Sequence, residues 1–178
     1  VDAARLVLDN GAEVDRADKD GWTPLLTACD EGRVDAATLL LDNGADINLA
    51  HKCGATPLYV ACEKGHVDTA RLLLDNGAEV DRAMENGVTP LWIACHQGHV
   101  DAARLLLDKG AEVDRAKKDG STPLYIACQV GQIDAARLLL DNGAEVDRAT
   151  EDGWTPLLVA CWKGHIDAVR MLLAKGAA

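Results

Sequence analysis

Apolar and polar positions along the chain fall into short blocks with a helical rhythm. Leu25, Ala28 and Cys29 are three and four residues apart, which puts them on one helical face. Thr23 before them is a good N-cap. Pro24 suits the first helical position, where its missing N–H costs nothing. This pattern predicts a helix from Pro24 that stops near Gly32. A second helix is predicted from around Val34–Asp35, with an acid in the first turn where the helix dipole favours an anion. Leu39, Leu40 and Leu41 give it an apolar stripe, and Gly44 supplies a left-handed residue to end it. Ala45 to Gly54 is polar, bounded by Gly and too short for another helix, so it reads as an extended loop with a tight turn.

The same pattern returns every 33 residues. Thr-Pro-Leu starts at Thr23, Thr56, Thr89, Thr122 and Thr155, and these motifs use all five Pro of the chain. The 16 Gly fall into three columns with the same period, leaving no segment for a linker or a second domain. One unit cannot bury its apolar stripe alone, but stacked neighbours can. The expected organisation is a single domain, 1–178. It comprises a half unit at 1–17 and units at 18–50, 51–83, 84–116, 117–149 and 150–178.

The run Asp119 to Gly131, DGSTPLYIACQVG, followed by QIDAARLLLDNGAEVD, resembles an ankyrin repeat. The family pattern of TPLHxAA, central Gly, LLL and GADVN is matched throughout. The resemblance implies an all-α solenoid of stacked helix-turn-helix units with projecting β-turn or hairpin loops. Loops and first helices would form a concave face that binds proteins or peptides without catalysis. Two positions depart from the family. Its His after Thr-Pro-Leu, which bridges neighbouring loops, is replaced by Leu26, Tyr59, Trp92, Tyr125 and Leu158. The second Ala of its pair is Cys in every unit.

The units serve as an internal alignment. Second helices and the loops after them barely change, whereas finger tips and first helices vary. The column after the tip Gly holds Trp22, Ala55, Val88, Ser121 and Trp154. The columns before the central Gly hold Asp30 and Glu31, Glu63 and Lys64, His96 and Gln97, Gln129 and Val130, Trp162 and Lys163. All six aromatics (Trp22, Tyr59, Trp92, Tyr125, Trp154, Trp162) lie in these variable columns, and Tyr and Trp are enriched at binding hot spots. The candidate partner-binding residues are these six aromatics with Asp30, Glu31, Glu63, Lys64, His96, Gln97, Gln129 and Lys163. Tyr59, Trp92 and Tyr125 have a second reading, as filling between units in place of the family His.

Composition narrows the function. Aromatics are only 3% with no Phe, which fits thin stacked layers better than one compact core. Lys and Arg number 18 against 29 Asp and Glu, a net charge of −11. A nucleic-acid reader needs a basic face, so nucleic acid is not an expected partner, and an anionic membrane surface is disfavoured likewise. Most of the acidity lies in second helices and their loops, so total charge does not imply a basic partner. No apolar run reaches the roughly 18 residues of a membrane span, and no secretory signal follows Val1. Without an initiator Met and with no strongly polar end unit, the chain reads as a piece of a longer array or an engineered product.

Catalytic and metal chemistry is not expected. Cys29, Cys62, Cys95, Cys128 and Cys161 form one column. Packed helices lie about 8–10 Å apart, whereas a disulfide needs Cα atoms within about 7 Å, so these cysteines read as small buried residues. Cys53 stands at a finger tip where other units have Asp or Asn and is expected to be exposed. Free thiols point to a reducing, cytoplasmic compartment. His66, His99 and His165 belong to a Gly-His framework column; the His96/His99 spacing has no third ligand to complete a metal site. No phosphate loop, nucleophile elbow or paired-carboxylate signature interrupts the period, and no cofactor is expected. The expectation is a protein-interaction module. The alternatives are a spacer or self-assembling segment, joining head to tail through its ends, and a synthetic consensus-type scaffold.

Overall fold

A computed structural model describes residues 13–178. The helix expected early in the 1–17 half unit lies outside the described residues. Ten helices follow in pairs. First helices are α1 (Pro24–Asp30), α3 (Pro57–Lys64), α5 (Pro90–Gln97), α7 (Pro123–Val130) and α9 (Pro156–Lys163). Second helices are α2 (Val34–Asp42), α4 (Val67–Asp75), α6 (Val100–Asp108), α8 (Ile133–Asp141) and α10 (Ile166–Ala174).

Each first helix starts as its sequence requires. Thr23, Thr56, Thr89, Thr122 and Thr155 are extended N-caps whose hydroxyls accept from the backbone N–H three residues on, at 3.1–3.2 Å. Second helices have no side-chain cap, and each carries an Asp in its first turn.

First helices pack on one another along the stack, and second helices pack on theirs. The core is a series of small contacts repeated by layer. Leu58, Leu91 and Leu124 are buried, as are Ala61, Ala94 and Ala127 and Cys62, Cys95 and Cys128. Cys161 corrects the sequence expectation: it is exposed. The first helices of its four counterparts each have the first helix of the next pair packed on them, whereas among the described residues no first helix follows α9.

The fingers between helix pairs are tight turns, with no strand among the described residues. At a typical tip, the Lys117 N–H donates to Ser121 O at 3.0 Å and the Gly120 N–H to Lys117 O at 2.9 Å. Two such bonds close a turn without extending into a ladder. Adjacent fingers touch through the backbone, with Glu151 N–H donating to Asp119 O at 3.0 Å. Gly120 (φ +82°) makes this approach possible, since a Cβ there would lie 2.8 Å from the Glu151 nitrogen.

Two further ladders tie neighbouring units. His66, His99 and His165 each donate through Nε2 to a carbonyl one repeat earlier, those of Asp30, Glu63 and Gln129, at 2.9–3.1 Å. In the loops after the second helices, Asp15, Asn48, Asp81, Asp114 and Asp147 each accept from the backbone N–H 31 residues on.

Candidate binding surface

The first-helix and finger positions that vary between units do not form one continuous exposed face. Leu26 is fully buried. In the same column, Tyr59 and Trp92 lie in the seam between units, only 8% and 9% exposed. The Trp92 indole N–H donates to Ser121 O at 3.2 Å, which anchors the ring to the following finger. The His96 ring stacks on it at 5.5 Å. Burial pushes the Tyr59 hydroxyl up to about 12, with the charges of Glu63 and Cys53 adding to it. Tyr125 is only half-buried, and Leu158 is exposed at the end of the stack.

A groove of about 450 Å³ gathers five of the candidate residues: Trp92, Tyr125, Gln129, Trp154 and Trp162. Its far wall is an aromatic pair, with Trp154 and Trp162 at 5.6 Å between ring centroids and 59° between planes. These two are the exposed tryptophans, at 38% and 65%. The Lys163 ammonium lies 4.2 Å from the Trp162 ring centroid.

The remaining candidates lie elsewhere. Trp22 is half-buried at the first described finger, tilted against His51 at 5.4 Å. Lys64 pairs with Asp30 at 3.1 Å, and both are partly solvated, so this pair contributes little stability. Glu31 and Gln97 are exposed. Glu63 is half-buried and its main-chain carbonyl is held by His99.

The groove residues that the sequence reading did not single out include Lys117, Asp119, Thr150 and Asp152. They lie on the fingers, three and one residues before the tip Gly. A signal existed, because the first of these columns varies completely: Asp18, His51, Met84, Lys117, Thr150. Lys117 Nζ pairs with Asp119 at 2.8 Å and lies 5.8 Å from the Trp92 ring centroid. Partial burial works to raise the Asp119 carboxyl. The Lys117 ammonium and the Ser121 N–H outweigh it and hold the group at about 2.

The four buried cysteines of the column are held as thiols and are poor nucleophiles. Burial pushes the Cys29 and Cys128 thiols up to about 12 and that of Cys95 higher still; at Cys62 burial does the same and the charge of Cys29 adds to it. Among the described residues, no three His, Cys, Asp or Glu side chains group as a metal site, and no helix is long and apolar enough to cross a membrane. His99 Nε2 is committed to the Glu63 carbonyl, and the His96 ring stacks on Trp92 with its Nδ1 buried and unpaired among the described residues.

A search of curated proteins returns no match. The family model for ankyrin repeats matches in three copies, at residues 1–51, 43–117 and 111–178. Ankyrin repeats are in general protein-interaction modules. With paired helices at a fixed period and a family match along its whole length, the chain belongs to the ankyrin-repeat family.

Proposed function

We propose that this chain is a non-catalytic module that holds a protein or peptide partner on its concave face of finger tips and first helices. The observation that carries this reading is the groove between α7 and the last finger, where Tyr125 and Gln129 face the exposed Trp154–Trp162 pair. Large rings exposed beside a concavity are the residue types that supply binding energy at interfaces. Trp22, Glu31, Gln97 and Lys163 serve as outer contacts, and Tyr59 and Trp92 mainly support the surface from beneath. Repeats 18–50 to 150–178, with the half unit 1–17, act as one scaffold. The free thiols suit a reducing, cytoplasmic setting.

Affinity capture from a cell lysate tests this reading. The intact chain is compared with a Trp154→Ala/Trp162→Ala variant shown to be folded by circular dichroism. Partners retained by the first and lost by the second support it. Partners retained equally by both overturn the assignment of the site.

A second reading, self-association, has its own observation. Leu158, Ile166 and Leu173 are 52%, 59% and 55% exposed at the last helix pair, beside Trp162. Apolar surface of this kind favours contact with another copy. Sedimentation that remains monomeric at high concentration overturns it.

A further inference from the structure

Among the described residues, the fingers and first helices of neighbouring repeats place a cation, an anion and a ring together at Lys117, Asp119 and Trp92. The Lys117 ammonium is paired with Asp119 at 2.8 Å and lies over the Trp92 ring at 5.8 Å. One period of 33 residues later, Asp152 stands at the position of Asp119 and Tyr125 at that of Trp92. Thr150 stands at the position of Lys117, so this second seat has its anion and ring but no cation of its own. Asp152 enters no ion pair among the described residues. Trp154 adds a further ring to the same groove.

We propose that this second seat receives an arginine side chain of a peptide partner, with the guanidinium stacked between Tyr125 and Trp154 and paired with Asp152. This rests on the concave face being the binding surface and names the chemistry it selects. A guanidinium fits both demands, because its flat face stacks on aromatic rings while its edge offers paired donors to a carboxylate. Burial raises the Tyr125 hydroxyl, and the charges of Asp119 and Asp152 raise it further, so both carboxylates act on the same space. The Lys117 ammonium is already opposed by Asp119, whereas Asp152 is free to oppose a cation from outside. The Lys163 ammonium lies over the Trp162 ring and leaves Trp154 and Tyr125 as the stacking surfaces.

The test is selection from a displayed library of random peptides on the intact chain, followed by affinity measurement on single variants. The expected result is a set of peptides sharing an arginine. Asp152→Asn should weaken a selected peptide about tenfold, roughly the effect of losing one well-placed charge-assisted pair. Replacing the peptide's arginine by citrulline should cost as much, and the two changes together no more than either alone. Peptides that are lost on Trp154→Ala yet share no arginine overturn this inference and leave the binding surface standing. Peptides indifferent to Trp154→Ala, or no peptides at all, overturn both. Full affinity with lysine in place of arginine overturns the choice of guanidinium.

Discussion

The His99 imidazole holds a carbonyl one repeat away from its own: its Nε2 donates to Glu63 O at 3.1 Å. The ring also fills the space beside Gly65, where a Cβ would lie 2.6 Å from Nδ1. Gly65 in turn ends α3 in the left-handed region, at φ +74°. One side chain thus closes a helix terminus and seals a seam between layers.

Two substitutions separate these roles. His99→Ala should lose about 1–2 kcal/mol, the consequence of leaving a partly buried carbonyl unpaired. Gly65→Ala should lose about 1–3 kcal/mol, because it adds left-handed strain and displaces the ring as well. Urea unfolding checks both. A neutral Gly65→Ala contradicts this account of the seam.

Trp92 and Trp162 should differ sharply in what truncation costs. Trp92 is packed, and its indole N–H is bonded to the next finger. Trp92→Ala should therefore cost about 3–5 kcal/mol. Trp162 is 65% exposed, and Trp162→Ala should cost under about 1 kcal/mol. Thermal unfolding of the two variants side by side decides the matter.

Asp81 accepts from the Glu112 N–H at 3.0 Å. Burial raises its carboxyl above the ordinary 3.8, against the lowering effect of that N–H and of Arg115. A carboxyl raised on folding stabilises the fold while protonated, and that contribution fades as pH rises through its folded pKa. Asn48 performs the same task one repeat earlier without a charge, accepting from the Glu79 N–H. Asp81→Asn should match or exceed the parent at pH 7, with the difference shrinking in acid, whereas Asp81→Ala should cost about 1 kcal/mol. Denaturant melts at pH 7 and pH 4 test the sign.

Thiol labelling should distinguish the six cysteines. Cys53 and Cys161 are exposed, and the other four are buried. Two labels are expected by mass spectrometry in native buffer and six in urea. Rapid native labelling of Cys62 or Cys95 contradicts the packing described above.

The period made the helices legible, because Thr-Pro starts and Gly stops are local signals that every unit repeats. Burial was less legible, because in a stack it depends on the neighbour. Cys128 and Cys161 are the same residue in the same column, yet one is buried and the other faces the end of the stack. Trp92 and Tyr125 also share a column. Ser121 O receives the Trp92 indole, while Tyr125 stays half-buried on the groove. The finger carboxylates Asp119 and Asp152 recur at one position with Asp20 and Asn86, so the pattern alone did not set either apart. What distinguishes them is three-dimensional: Lys117 pairs with Asp119, whereas Thr150 offers Asp152 no cation.

The groove's far wall stands on the last finger and α9, and among the described residues this layer rests on a neighbour from one side only. In a one-dimensional stack such a layer has half the interfaces of an interior one, and it is the first to breathe. Each excursion of α9 and α10 takes the groove apart, so occupancy and terminal order share one equilibrium. A ligand seated against Trp154 and Trp162 then acts as a clasp. It should slow amide exchange in α9 and α10 more than in α5 and α6, even though it touches few of the protected amides.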